Sequence, residues 1–128
     1  MQKRSKAAEQ LDFEIGFYES LLRTYSDFSD ALVALGEAYT RRGWYDKGLS
    51  IDLRLTEMRG QDPVVWYNLA CSYSMLKRPS EALDALRTAV KLGYDDFRYL
   101  SEDSDLAPLR QTPEFRQFVE QLATRKHA

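Results

Sequence analysis

Cys71 is the only cysteine and His127 the only histidine in the sequence, which leaves this chain little catalytic chemistry. A lone thiol closes no disulfide within the chain and builds no multi-cysteine zinc site. A lone imidazole in the C-terminal tail removes most histidine-dependent metal and acid–base chemistry. A reactive thiol also needs nearby cations or a helix N-terminus to lower its pKa. Cys71 falls between Asn68 and Ser74, in the middle of a helical segment, and reads as a packing residue. The carboxylates Asp96, Glu102, Asp103 and Asp105 are the one cluster that suggests a cation. They lack the spacing and the glycine of a calcium loop, and read as helix caps and solvated loop charges. Gly93-Tyr94 is no phosphate loop, because its lone glycine precedes neither another glycine nor a lysine. No acid–base pair or nucleophile triad stands out, so the expectation is a chain without catalysis, cofactor or metal.

The bulk composition agrees with that reading. Hydrophobic residues make up 44% and charged residues 30%, which predicts a folded chain and not a disordered one. Eighteen Lys and Arg stand against 20 Asp and Glu, a net charge of −2, which argues against a nucleic-acid binder with its basic stripe. No apolar run reaches the roughly 18 residues that a membrane span needs. Met1 to Glu9 is charged and lacks the apolar core of a signal peptide. Together these features predict a cytoplasmic protein.

The elements that must position any site are helical. Met1 to Lys6 reads as a flexible polar tail. From Ala7 to Tyr25, Leu11, Ile15, Tyr18 and Leu22 recur at steps of three and four, with Phe17 and Leu21 beside them, and predict an amphipathic helix. A second helix runs from Ser29 or Asp30 to Arg42, with Ser29 as its cap and Gly43 as its stop. A third covers Tyr45 to Arg59, although Leu49, Ile51, Leu53 and Leu55 alternate as they would in a strand. Asp62-Pro63 opens a fourth helix to Leu76, and Pro79-Ser80-Glu81 a fifth that ends near Gly93. A short helix from Asp96 to Glu102, a turn or 3₁₀ segment broken at Pro108, and a last helix from Thr112-Pro113 to Thr124 complete the chain. Phe115, Phe118, Val119 and Leu122 share one stripe of that last helix.

Two of these helices carry the same string 34 residues apart. Leu32-x-x-Leu35-Gly36-x-x-Tyr39 becomes Trp66-x-x-Leu69-Ala70-x-x-Tyr73, with a small residue following at the same offset, Gly48 and then Ala82. This period and pattern resembles the tetratricopeptide repeat, TPR, a helix–turn–helix unit that stacks into solenoids. The resemblance spans residues 7 to 94 and implies a half-repeat helix (7–25), one repeat (29–62) and another (63–94). It overrules the strand-like alternation around Ile51. The small residues imply close approach within each hairpin, Gly36 opposite Gly48 and Ala70 opposite Ala82. After Gly93 the pattern fails, because Asp103 stands where a repeat wants leucine. Residues 95–128, with Asp103, Asp105-Leu106, Leu109-Arg110 and Pro113-x-Phe115, resemble a tail that follows TPR units in many bacterial proteins. The implied fold is an all-α, right-handed TPR-like solenoid of about six helices, closed by C-terminal capping helices.

The function this resemblance implies is a non-catalytic protein–protein interaction scaffold. In the family the first helix of each repeat lines a concave groove. Carried over, that groove holds Val33, Glu37, Thr40 and Arg41 from one repeat and Tyr67, Asn68, Cys71, Ser74 and Met75 from the next. Asp30 and Val64 stand at its edge, and Arg98 and Glu102 continue the register into the cap. The implied partner is a protein segment, an extended peptide or a helix. Tyr67 and Asn68 are expected to point away from the core, so that replacing both with alanine spares the helices. Two bland readings compete, a plain solvated surface and a groove filled by the chain's own ends. A carboxylate clamp of the kind some TPR domains use is not expected, since only Asn68 matches it. The alternative function is a homo-oligomer, a self-associating subunit whose terminal helix faces, with Phe13, Phe17 and Tyr18, pair between copies.

Overall fold

The computed structural model describes residues 5–126, and among these the chain is all-α. The helices are α1 (Lys6–Thr24), α2 (Ser29–Arg42), α3 (Tyr45–Met58), α4 (Pro63–Met75), α5 (Pro79–Lys91), α6 (Phe97–Glu102), α7 (Ala107–Arg110) and α8 (Pro113–Lys126). A 3₁₀ turn, Ser104–Leu106, joins α6 to α7. Of the expected N-terminal tail, Met1 to Arg4 lie outside the described residues, as does His127. Ser5 and Lys6 do not belong to a tail. The Ser5 hydroxyl accepts the Ala8 N–H at 3.1 Å and caps a helix that begins at Lys6.

Starts and stops follow local chemistry. Asp62 caps α4 by accepting the Val64 N–H at 2.9 Å, and Pro63 takes the first helical position, where its missing N–H costs nothing. Ser29 is not a cap. It is the first residue of α2, and its hydroxyl receives the Arg59 guanidinium, which also pairs with Asp30 at 2.6 Å. Pro108 does not break its segment either. It sits in the first turn of α7, where a fixed φ is already helical.

Three helix ends share one C-terminal motif. After α2, Trp44 N–H reaches the Tyr39 carbonyl (2.9 Å) and Gly43 N–H the Thr40 carbonyl (3.0 Å), with Gly43 at φ +88°. After α5 the same pair of bonds forms through Gly93 at φ +111°. This is the Schellman arrangement, and it needs a left-handed residue at its corner. After α4 that corner is Lys77, at φ +59°, one 34-residue period beyond Gly43. A side chain in this conformation is strained by about 1–2 kcal/mol, offset in part by the greater unfolded-state freedom of glycine. Lys77→Gly should therefore stabilise the protein by about 0.5–1 kcal/mol in urea titration. A destabilised variant would show that the lysine side chain makes a contact worth more than the strain.

The segment Leu49 to Leu55 is helical throughout. Leu49, Asp52 and Leu55 are buried on α3, and Gly48 with them. Gly36 lets α2 approach at this level. A Cβ there would lie 3.2 Å from Ile51 Cγ2 and 3.3 Å from Asp52 Oδ1, so Ile51 and Asp52 are the nearest groups that Gly36 makes room for.

The chain divides between Arg59 and Gly60 into two compact units. In the first, α2 packs on both α1 and α3. Ile15, Leu35, Ala38 and Tyr39 form a core, with Leu11, Tyr18, Leu22 and Ile51 against it. Tyr18 is thus half-buried and belongs to this core as much as to the outer face of α1. In the second unit, α4 and α5 form a hairpin, the 3₁₀ turn and α7 lie on α4, and α8 lies on α5. Leu69, Ala70, Ala82, Leu83, Leu86 and Ala89 are buried in the hairpin, and Leu100, Leu106, Leu109, Phe115 and Phe118 in the segment that follows.

Candidate functional site

The positions carried over to α2 lie at the surface of the first unit. Glu37 and Arg41 are exposed, and Val33 and Thr40 are half-buried. Each is held by ordinary helix geometry. The Thr40 hydroxyl donates back to the Gly36 carbonyl at 3.0 Å. Arg41 pairs loosely with Glu14 of α1 at 3.4 Å, while Arg42 pairs closely with Asp12 at 2.8 Å. The inner side of the same helix is anchored by Tyr39, whose hydroxyl donates to Glu19 at 3.0 Å. Burial first, and then the Glu19 carboxylate, push the Tyr39 phenol up to about 12, so it stays protonated as a donor.

The positions carried over to α4 behave differently. Asn68 and Met75 are half-buried, but Tyr67, Cys71 and Ser74 are buried. The reason is the chain's own continuation. The Tyr67 hydroxyl donates a short hydrogen bond to Oδ2 of Asp103, and the Cys71 thiol points at the same oxygen from 3.7 Å. Oδ1 of Asp103 accepts the Asp105 N–H at 3.0 Å and starts the 3₁₀ turn. Further along, the Leu109 N–H donates to the Ser74 hydroxyl at 3.3 Å. The Tyr67 ring stacks on Tyr94 with centroids 4.6 Å apart and planes 7° apart, and Tyr99 tilts against it at 6.1 Å. Arg110 locks the turn from behind, donating to the carbonyls of Asp103 (2.6 Å) and Leu100 (3.1 Å).

These contacts correct two sequence expectations. Tyr67, Cys71 and Ser74 are not groove residues open to a partner, and Tyr67 does not point away from the core. Asp103 caps the 3₁₀ turn, in line with the helix-cap reading, but it is not a solvated loop charge. It is a buried carboxylate whose two oxygens are both used. Arg98, carried into the cap by register, lies exposed on α6 and pairs with Glu102 at 3.3 Å, away from this cluster's hydrogen bonds.

The electrostatics follow from the sealing. Burial pushes the Cys71 thiol well above its usual range, with the Asp103 charge adding, so the group is a protonated thiol and no nucleophile. Tyr67 is likewise pushed far up, chiefly by burial. Asp105 is raised by partial burial and then by the Asp103 charge beside it. A carboxyl whose folded-state pKa is raised favours folding below the ordinary value of 3.8 and loses that contribution as pH rises through the folded value. Asp105→Asn should therefore melt higher than the parent at pH 7, with the difference closing at about pH 3. A lower melting temperature at pH 7 would mean that the carboxylate does more as a helix-start anion than it costs as a neighbour of Asp103.

Among the described residues no group of His, Cys, Asp and Glu could hold a metal ion, and no helix is long and apolar enough to cross a membrane. Two clefts flank α8. One of about 790 Å³ opens toward α5 between Arg87, Lys91, Phe118 and Leu122, and one of about 310 Å³ opens toward α6 between Phe97, Leu100, Phe115 and Val119. The apolar stripe of α8 marks them in the sequence, but not their size.

The tetratricopeptide-repeat family model matches residues 63–96, the α4–α5 hairpin and the Tyr94 turn. A chloroplastic protein of Arabidopsis thaliana is 34% identical over 93 residues, which is 68% of this chain and 27% of that protein. A TPR repeat-containing protein of Methanocaldococcus jannaschii is 31% identical over 81 residues, 62% of this chain and 14% of that protein. The chain thus spans about a quarter or less of the length of these relatives. With one repeat matched outright and a like hairpin standing one period before it, this chain is a tetratricopeptide-repeat protein, of a family whose repeats suggest protein–protein interaction.

Proposed function

We propose that the chain is a non-catalytic scaffold that binds a protein segment, an extended peptide or a helix, along the exposed strip of α2. One observation carries this. The positions equivalent to that strip on α4 are occupied by the chain's own Asp103–Arg110 segment, whereas Val33, Glu37, Thr40 and Arg41 stay at the surface. The mode of self-occupation suggests the mode of recognition. A short turn lies across a first helix, with a carboxylate meeting its polar side chains and leucines beside it. On α2 the strip offers the half-buried Val33 as apolar contact. Glu37 and Arg41 present opposite charges one turn apart, which fix the register of a charged segment and penalise it when their order is reversed. The half-buried Asn68 and Met75 are the part of the α4 face that the tail leaves accessible.

Peptides selected from a random display library on the whole chain provide the test. Their dissociation constants, read by fluorescence anisotropy, should rise at least tenfold, about 1.4 kcal/mol, in the double reversal Glu37→Arg with Arg41→Glu. The circular dichroism of that variant should match the parent, because both side chains are exposed. Peptides whose affinity ignores the reversal would sink the α2 assignment.

A further inference from the structure

The outer face of α1 is the surface that the fold of its own unit does not explain. Phe13 is 71% and Phe17 55% exposed, although α1 already buries Ile15 and half-buries Leu11, Tyr18 and Leu22 on its other side. The two phenylalanines are four residues apart and share one face, since steps of three and four bring helix residues together. Gly16 and Ser20 lie beside them, and a Cβ on Gly16 would meet nothing within 4 Å. An exposed aromatic pair next to a notch of small residues is a surface shaped for another helix.

We infer that this face pairs with the α1 of a second copy of the chain, antiparallel and crossing at Gly16. Charge placement selects this occupant. Glu9 lies in the first turn of α1 and Arg23 in the last, both exposed and on the same flank of the phenylalanine stripe. An antiparallel pair centred on Gly16 sets Glu9 opposite Arg23 of the partner subunit, and the two-fold axis makes the contact twice. The same register lays Phe17 beside Gly16 of the partner subunit and Phe13 over the partner's Ser20, so each ring meets a small residue. It also runs the two helix dipoles in opposite senses. A parallel pair would bring like charges together, Glu9 against Glu9 and Arg23 against Arg23. One helix pair makes a small interface, at the weak end of protein association, so the dimer forms at roughly micromolar concentration or above. The inference goes beyond the α2 docking reading and does not depend on it.

Sedimentation velocity of the whole chain, from roughly 1 to 500 µM, tests it. The parent should pass from monomer to dimer across that range. Phe13→Ser with Phe17→Ser should remain monomeric throughout, with unchanged circular dichroism and melting, since both rings are exposed. Glu9→Arg alone and Arg23→Glu alone should each raise the dissociation constant about tenfold. The swap combining both changes should restore it, because only a second copy supplies both halves of the pair. A parent that is monomeric at every concentration overturns the proposal and gives the face to another occupant. A dimer indifferent to the serine variant overturns the face, and one not rescued by the charge swap overturns the antiparallel register. Peptide affinity at α2 should be the same in the serine variant and the parent, which separates failure of this inference from failure of the docking reading.

Discussion

A chain cut after Tyr94 should lose cooperative unfolding of its second unit and aggregate at concentrations where the parent is clear. The cut removes Leu100, Leu106, Leu109, Phe115 and Phe118, all buried. Burying one large apolar side chain contributes about 1.5–3 kcal/mol, so the five together approach about 10 kcal/mol. That is the scale of a whole domain's stability, about 5–15 kcal/mol. The cut also bares Tyr67, Cys71 and Ser74 on α4, and leaves the outer side of α5 without α8. Light scattering and a thermal melt of the truncated chain beside the parent would decide it. A truncated chain that stayed monomeric, with the same midpoint, would make the tail an appendage and not part of the unit.

Asp103→Ala should cost about 3 kcal/mol and Tyr67→Phe about 2 kcal/mol, with the double variant costing clearly less than their sum. Asp103 accepts from Tyr67, Cys71 and the Asp105 N–H, so its loss strands a buried hydroxyl and removes the cap that starts the 3₁₀ turn. A stranded buried donor costs about 1–3 kcal/mol, and a hydrogen bond to a charged group is worth about 1.5–3 kcal/mol. Removing the Tyr67 hydroxyl keeps the ring stacked on Tyr94 but leaves the carboxylate short of its strongest donor. Removing both ends takes away the mismatch along with the bond, hence the sub-additive sum. Urea titrations with equal m-values give the three numbers. Additive costs, or an Asp103→Ala cost under about 1 kcal/mol, would show that apolar packing alone holds the tail. By the same logic Tyr67→Ala, read from sequence as harmless to the helices, should damage the second unit, since it removes a ring buried against Tyr94.

Most of the fold was legible because it repeats. Gly43 and Asp62-Pro63 mark helix ends through backbone chemistry that does not depend on neighbours. The 34-residue register decided the case of Leu49 to Leu55, where local alternation pointed the wrong way and packing of α3 on α2 won. The register failed where it was carried past its evidence of repetition. It placed Arg98 in a groove by running on into the cap, past the point where the repeat pattern fails, and that residue stands on a short cap helix beside Glu102. It placed Tyr67, Cys71 and Ser74 on an open surface because helix phase says which way a side chain points, and not what lies in front of it. The one sequence signal of the occupied face was Asp103 itself, a carboxylate at the position where a repeat wants leucine, with Leu106, Leu109 and Phe115 following it. Sequence cannot name the buried donors such a carboxylate will find, because they lie more than 30 residues away and are chosen by the turn geometry of the tail.

The Asp103 seal gives the protein a built-in clock. Only one cysteine exists in the chain, and it lies under the tail with its proton held on. A thiol reagent attacks the thiolate and needs access, so modification of Cys71 must wait until the tail lifts. When closing outruns modification, the observed rate is the rate for an open thiol multiplied by the fraction of time spent open. Colour development from one reagent, with no engineered label, therefore reads the opening free energy of the tail directly.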